Sequence, residues 1–261
     1  ETLALLSHLL RNSNRELSND FTVILSDGNS PLGEWAKKNR VEILKIPDQV
    51  GGRFSVYSPV GFLPLALAGV PLLELVGKIK ALDQEAKGFG EFYNYFEKCC
   101  HNQTQLLSLW IYGSRFYDSA LWLQQLWSES LGKPLSSKTL SVPVPVVCRG
   151  ASDQHSLLQQ FAEQPEGKAH LFFRQKESNT PLSEILNIEA DACEQALSEV
   201  GSLTHRLDFP TDIFSLIRFF TFSMITVDLL AKELGVNAFN QPGVERCKQL
   251  IHESLGRRTD H

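Results

Sequence analysis

Several features that point to particular classes of protein are missing from this sequence. Its cysteines are five in number, and no two have the two-residue gap of a zinc or redox motif. The 30 acidic and 25 basic residues are scattered without long runs, unlike the basic patch of a protein that binds nucleic acid or an anionic membrane. There are no internal repeats or low-complexity tracts. We therefore expect free thiols in a reducing cytoplasm, with no nucleic-acid or membrane partner.

Long uninterrupted hydrophobic runs are also missing. The most apolar stretch, residues 213–230, contains Arg218 and Asp228, and either charge is costly at the centre of a bilayer. We interpret this stretch as a buried helix. The chain opens on Glu1-Thr2-Leu3 with neither an initiator methionine nor a basic leader, so we expect it to be a piece of a longer protein.

What is present is a regular alternation of strand and helix patterns. Short apolar or β-branched runs predict strands at 21–25, 41–46, 107–112, 142–148, 170–173 and 204–207. Helical patterns cover 2–11, 31–39, 65–82, 91–105, 116–128, 155–163, 189–200 and 213–234. This alternation predicts an α/β fold, a parallel sheet with helices on both faces. Pro143 and Pro145 indicate that the 142–148 strand lies at an edge or starts late, because proline cannot donate to the sheet.

The amino-acid composition changes after Pro47, where glycine and proline become frequent. We place a domain junction near 47–52 and divide the 261-residue chain into the tail of one α/β domain (1–47), a second α/β domain (48–234) and a C-terminal segment (235–261). In open parallel sheets ligands bind at the carboxyl ends of the strands, so we search the segments that follow strands.

Two segments combine polar groups with a predicted loop or helix end. Gly51 and Gly52 let the backbone approach a ligand and hold Arg53 at a turn, although such a sequence is also common in surface turns. Glu129 follows the apolar face of a helix, so a partly desolvated carboxylate there can serve as a general base. The alternative is a glutamate that is merely solvated.

Two further segments carry a histidine and a lysine. His155 follows Asp153 and Gln154 just past a predicted strand, at a position where a helix starts. A capping or core histidine is the alternative. Lys248 lies seven positions after Gln241, so the two would share a face of a continuous helix; the alternative is an ordinary exposed lysine.

Together these segments resemble the glucose-6-phosphate isomerase family. DQVGGRFSVYSPVG (48–61) and FNQPGVERCK (239–248) each resemble one of the two signature segments of that family, and they occur in the family's order. QQLWSESLGK (124–133) resembles its stretch ending Glu-Ser-x-Gly-Lys, and SDQHSLLQQ (152–160) resembles its Gln-His segment. The resemblance covers nearly the whole chain.

The resemblance implies a fold of two three-layer αβα sugar-isomerase (SIS) domains, usually as a homodimer, and interconversion of glucose 6-phosphate and fructose 6-phosphate without metal or cofactor. It implies that Glu129 moves a proton between C2 and C1 and that Arg53 stabilises the enediolate. His155 is implied to assist ring opening from the neighbouring subunit, and Lys248 to lie near the ring oxygen. The implied substrate-binding residues are Gly52, Gln125, Gln241 and Thr2.

The sequence departs from the family at its front. Family members hold the phosphate with a Ser-Lys-x-x-Thr-Thr loop that runs into Glu-Thr at a helix start, whereas this chain begins at Glu1-Thr2. The family's glycine-rich first strand-loop is absent as well. We therefore expect little or no turnover from this chain alone.

Two alternatives of other classes stay open. A non-catalytic sugar-phosphate-binding regulatory module on the same fold would need none of the four catalytic residues, so their joint presence argues against it. A serine or cysteine hydrolase is disfavoured because there is no Gly-x-Ser-x-Gly elbow, and Ser152, Asp153 and His155 are too close in sequence to be assumed a triad.

Overall fold

The computed structural model describes residues 23–26, 30–82, 86–175, 180–209 and 212–259. The chain divides into two compact units, Glu1–Gly77 and Lys78–His261. Thr2 and the helix predicted at 2–11 lie outside the described residues. The domain junction near 47–52 and the three segments that we assigned stay predictions.

The described part of the first unit opens with a strand, a helix and a strand. Strands β1 (Val23–Ser26) and β2 (Glu42–Lys45) pair in parallel, and helix α1 (Pro31–Lys38) connects them. Ser30 starts α1 because its hydroxyl accepts a hydrogen bond from the Gly33 amide at 3.2 Å. This order agrees with the strands predicted at 21–25 and 41–46 and the helix predicted at 31–39.

The remainder of the first unit is helical. A 3₁₀ turn (Gly52–Tyr57) is followed by α2 (Pro59–Leu67) and α3 (Leu72–Lys80). The single helix predicted at 65–82 is therefore wrong. Gly69 takes a φ of +80°, which favours glycine and ends α2, and Pro71 removes an amide that a continuous helix would need.

The second unit contains a four-stranded parallel sheet. Its strands are β3 (Leu106–Tyr112), β4 (Val144–Arg149), β5 (Lys168–Gln175) and β6 (Leu203–Phe209), in the order β4-β3-β5-β6. Leu106 lies opposite both Val144 and Lys168. The predicted parallel sheet is confirmed, and β4 lies at an edge of it as its two prolines indicated.

Helices cover both faces of this sheet and make the second unit a three-layer sandwich, as predicted. One layer contains α4 (Phe89–His101), α5 (Tyr117–Leu131) and α8 (Ile213–Leu234); the other contains α6 (Gln154–Glu163) and α7 (Pro181–Glu199). In the first layer Phe219 of α8 packs against Phe92 and against Phe173 of the sheet. On the face of the sheet covered by the second layer, Trp110 and Phe172 are buried in one cluster with Phe161 of α6.

Helix α8 is long and apolar enough to cross a membrane by length and composition. It nevertheless packs inside the second unit, where Phe222 meets Phe89 edge to face with ring centroids 5.2 Å apart. This packing agrees with the predicted buried helix. Beyond α8, a 3₁₀ turn (Pro242–Val244) leads into the last helix, α9 (Glu245–Thr259).

Candidate active site

Arg53 is a buried charge in the first unit. It lies in the 3₁₀ turn and is only 3% exposed, with its guanidinium 5.3 Å from the centre of the Phe54 ring. The turn is held by the Ser55 hydroxyl, which donates to the Gly52 carbonyl at 2.7 Å. A β-carbon added at Gly51 or Gly52 would meet no atom within 4 Å, so the backbone there is open to a ligand. Because arginine is seldom buried, this turn fixes a cation next to accessible backbone.

Glu129 lies in the last turn of α5 and is half-buried. The side-chain amide of Gln125, one turn earlier, donates to Glu129 Oε1 at 3.1 Å. Lys133 Nζ donates to the main-chain carbonyl of Glu129 at 2.7 Å and caps the end of the helix. The structure thus brings together two predicted site residues, and it orients one oxygen of the Glu129 carboxylate.

The end of α5 is fixed against the start of β4. The buried indole of Trp127 donates to the carbonyl of Pro143, which directly precedes β4, at 2.9 Å. One turn earlier, Gln124 Oε1 accepts from the Val147 amide in the middle of the strand at 3.2 Å. Helix α5 therefore runs antiparallel to β4, and Glu129 lies at the amino end of the sheet.

His155 lies at the opposite, carboxyl end of β4. Asp153 Oδ2 accepts from the Arg149 amide, the last residue of β4, at 2.7 Å. The exposed His155 follows two residues later in the first turn of α6. Since β4 is six residues long, its two ends are separated by roughly 16 Å.

The neighbour of His155 is anchored in the core. Gln154 Nε2 donates to the hydroxyl of Tyr112, which is 1% exposed, at 2.5 Å, and it lies 3.3 Å from the Glu189 carbonyl. Cys193 of α7 lies beside the same two side chains. Our sequence reasoning missed this hydrogen bond, because Gln154 and Tyr112 are 42 positions apart and only the fold brings them together.

Gln241 and Lys248 are not on one continuous helix, so they do not share a helix face. Gln241 has a φ of −151° and precedes a 3₁₀ turn, and α9 begins only at Glu245. Pro242 and Gly243 explain the break, since neither favours a helix interior. Among the described contacts, the exposed Lys248 pairs with Glu245 at 2.8 Å.

The five cysteines are free thiols, as the sequence predicted. Four of them are buried, and only Cys247 is exposed. Burial raises the pKa of Cys99, Cys100 and Cys148 to about 12, which makes these thiols poor nucleophiles at neutral pH. This environment argues against the cysteine-hydrolase alternative.

One group of side chains in the described ranges has the composition of a metal site. Glu97 and His101 of α4 lie near Glu233 of α8, and His101 Nε2 is 2.5 Å from Glu233 Oε1. The Tyr93 hydroxyl also donates to Glu233 at 3.3 Å. These contacts account for the group as a hydrogen-bonded link between two helices.

No family model matches the chain. It is 30% identical to a probable glucose-6-phosphate isomerase of Methanococcus maripaludis, over 98% of this chain and 63% of that protein. It is 28% identical to a glucose-6-phosphate isomerase of Rubrobacter xylanophilus, over 90% of this chain and 60% of that protein. The chain thus spans somewhat less than two thirds of these relatives.

Two solved structures share the fold. A hypothetical protein of Thermus thermophilus superposes with a TM-score of 0.80 at 27% identity, over 97% of this chain and 68% of that one. A glucose-6-phosphate isomerase of Chlamydia trachomatis superposes with a TM-score of 0.79 at 19% identity, over 99% of this chain and 56% of that one. The second similarity is evidence for the fold alone.

Proposed function

We propose that this chain, which is similar to glucose-6-phosphate isomerases over 90–98% of its length, forms the proton-transfer part of an aldose–ketose isomerase. Its substrates are glucose 6-phosphate and fructose 6-phosphate, which are interconverted through a cis-enediolate. The reaction serves glycolysis in one direction and gluconeogenesis in the other. The observation that carries the proposal is the oriented Glu129 carboxylate, which accepts from the Gln125 amide at 3.1 Å.

Glu129 acts as the general base. Moving a proton between C2 and C1 needs a carboxylate that reaches one face of the enediolate and serves both carbons. The Gln125 amide restrains one carboxylate oxygen, and the Lys133 bonds fix the helix end that carries it. A base held in this way loses little rotational freedom when substrate binds.

Arg53 stabilises the enediolate. A proton removed next to a carbonyl leaves negative charge on oxygen, and a cation fixed in advance lowers the cost of forming it. The burial of Arg53 supports this role, because a desolvated guanidinium interacts more strongly than one in water. Gly52 leaves the neighbouring backbone open to the same ligand.

Ring opening uses His155 from a second copy of the chain, and Lys248 acts near the ring oxygen. Within one copy Glu129 and His155 flank opposite ends of β4, and an open-chain hexose is shorter than that strand. A homodimer resolves this separation, because the His155 of one copy can then reach the Glu129 of the other.

Gln241 and Thr2 bind substrate, and no step requires a metal or a cofactor. The protein works in the cytoplasm.

Full turnover needs more residues than these 261, since the chain spans about three fifths of the length of the relatives that it matches. We propose that the part of those relatives outside the matched region carries the phosphate-binding loop. Losing several charge-assisted hydrogen bonds to phosphate, roughly 1.5–3 kcal/mol each, removes most of the energy that orients the sugar.

A coupled assay of fructose 6-phosphate turnover tests the proposal. We compare this chain with a version extended upstream through the phosphate loop, and in the extended version we compare Glu129→Gln with Glu199→Gln. Glu199 is the matched control because Gln195, one turn earlier on α7, donates to it at 2.7 Å. Glu129→Gln should lower kcat by roughly 10²–10⁴-fold, while Glu199→Gln should leave it unchanged.

The outcomes separate the parts of the proposal. No turnover by the extended version would count against an isomerase. Turnover by the 261-residue chain alone would contradict only the claim that it is incomplete. Equal activity of the two variants would remove Glu129 from the role of base.

A further inference from the structure

Helices α4 and α8 end side by side. Phe89, the first residue of α4, meets Phe222 of α8 with ring centroids 5.2 Å apart. His101, the last residue of α4, meets Glu233 in the last turn of α8. The two helices therefore run in the same direction. Because the carboxyl end of a helix carries a partial negative charge, two such ends next to each other favour a cation between them.

Three side chains that commonly bind metal ions meet at these ends. Glu97 and His101 are four residues apart on α4, so they lie on one face of the helix, and Glu233 faces them from α8. One oxygen of each carboxylate and one ring nitrogen of His101 lie within 4.8 Å of one another. The donor atoms of a tetrahedral zinc site are roughly 3.3–3.8 Å apart, so small side-chain rotations close this set around an ion.

The group carries excess negative charge. Its two carboxylates outweigh the single imidazole whether or not the ring is protonated. Among the residues that the structure describes, Glu97 has no partner in a side-chain hydrogen bond or an ion pair, although a second carboxylate lies close to it. A divalent cation would neutralise this charge.

The Glu233 carboxylate is already oriented. Its Oε2 accepts from the Tyr93 hydroxyl at 3.3 Å, and its Oε1 lies 2.5 Å from His101 Nε2. These hydrogen bonds link the two helices when no metal is bound. A metal ion takes the place of the proton between His101 and Glu233, while Tyr93 keeps its hold on the second oxygen, as supporting groups of ligating carboxylates do.

A buried thiol lies beside this group. Cys100 follows Glu97 by three positions and precedes His101, so it belongs to the same face of α4. It is 1% exposed, and its thiol makes no hydrogen bond to any residue in the described ranges. Burial and the nearby charges of Glu233 and Glu97 raise the pKa of this thiol to about 12. A metal ion among these groups is the partner that the thiol otherwise lacks.

We propose that a zinc ion joins the carboxyl ends of α4 and α8. Its ligands are Glu97, Cys100, His101 and Glu233. Four oxygen, nitrogen and sulfur donors suit Zn²⁺, whereas Mg²⁺ prefers six oxygen ligands. Binding deprotonates the thiol, and its proton passes to solvent. None of these ligands belongs to the proposed isomerase site, so the inference does not rest on that function.

Competition with a chromophoric zinc chelator tests the assignment in this 261-residue chain. Cys247→Ser serves as the parent protein, so that the exposed Cys247 thiol does not compete for metal. Zn²⁺ should bind at a single saturable site and raise the unfolding temperature, whereas Mg²⁺ should do neither. Co²⁺ bound in place of zinc should show an intense sulfur-to-cobalt absorption band, which reports a thiolate ligand.

Two histidine variants make the test specific. Loss of a group that merely supports a ligand costs about 10–100-fold in metal affinity, so His101→Gln should weaken zinc binding by at least about a hundredfold. His155→Gln is the matched control, because it removes another exposed histidine that is not a ligand, and it should leave the affinity unchanged. Cys100→Ala should abolish the cobalt band.

Three results would overturn the assignment. The first is an absence of saturable zinc binding. The second is equal weakening by the two histidine variants, which would mean adventitious binding at surface histidines. The third is a cobalt complex without the sulfur band, or with a band that persists in Cys100→Ala. None of these measurements involves turnover, so this inference and the proposed function can fail separately.

Discussion

The side chains of Glu129 and His155 flank opposite ends of the same strand. Trp127 ties the helix end that carries Glu129 to Pro143, before β4, and Asp153 ties the helix start that carries His155 to Arg149, the last residue of β4. The two residues therefore cannot act on one hexose within a single copy of this unit. Both belong to one reaction only if a second copy supplies one of them.

The anchor behind His155 predicts a positioning effect. Tyr112→Phe removes the hydroxyl that accepts from Gln154, which frees the first turn of α6. In the extended protein we expect kcat to fall severalfold with little change in KM, because the histidine that we propose for ring opening is misplaced while substrate contacts remain. Tyr93→Phe is the control, since its hydroxyl meets Glu233. Equal kinetic effects of both variants would contradict a positioning role.

His170 predicts how stability depends on pH. Burial lowers its pKa to about 4 from an ordinary 6.5, and its Nδ1 lies 2.6 Å from the Ser108 hydroxyl. The folded state therefore keeps the ring neutral while the unfolded chain protonates it. Its contribution is complete above about pH 6.5 and is lost as the pH falls toward 4, by up to about 3 kcal/mol.

Urea unfolding between pH 4 and 7 measures this dependence. His170→Asn should flatten the slope of the unfolding free energy over that window, even if it also lowers stability at pH 7. His155→Gln, at an exposed position, should keep the slope of the parent. An unchanged slope in His170→Asn would show that other groups set the acid sensitivity.

Gly150 and Gly77 predict opposite effects of adding a methyl group. Gly150→Ala would place a β-carbon 2.5 Å from the Tyr112 ring, so we expect a loss of roughly 1–3 kcal/mol of unfolding free energy. At Gly77 a β-carbon meets no atom within 4 Å, and alanine favours a helix there by about 0.5–1 kcal/mol. Thermal unfolding of both variants checks this. An unchanged unfolding temperature in Gly150→Ala would contradict the close approach of Gly150 to the Tyr112 ring.

The order of strands and helices in the second unit was accessible from sequence because each element carries a strong local signal. The apolar run of β3 and the prolines of β4 are examples, since they predicted a strand and an edge. Breaks inside apolar segments were harder. The helix predicted at 65–82 failed at Gly69 and Pro71, where backbone conformation outweighs the helical spacing of the leucines.

The site itself depends on contacts that local patterns do not encode. The search for ligand-binding groups at the carboxyl ends of strands leads to His155, but the Glu129 carboxylate lies at the amino end because α5 runs back along β4. The hydrogen bond between Gln154 and Tyr112 and the burial of Arg53 likewise result from tertiary packing. Family resemblance pointed to Glu129, His155 and Arg53, and the fold of the second unit shows that Glu129 and His155 flank opposite ends of one strand.

Mixing two inactive variants of the extended protein tests the central claim most directly. If Glu129 of one copy works with His155 of another, a dimer of Glu129→Gln with His155→Gln contains one site with both residues intact. Random reassociation of equal amounts should then restore roughly a quarter of the parent activity. Activity that stays at the level of the separate variants, in mixtures shown to have exchanged subunits, would contradict a site shared between two copies.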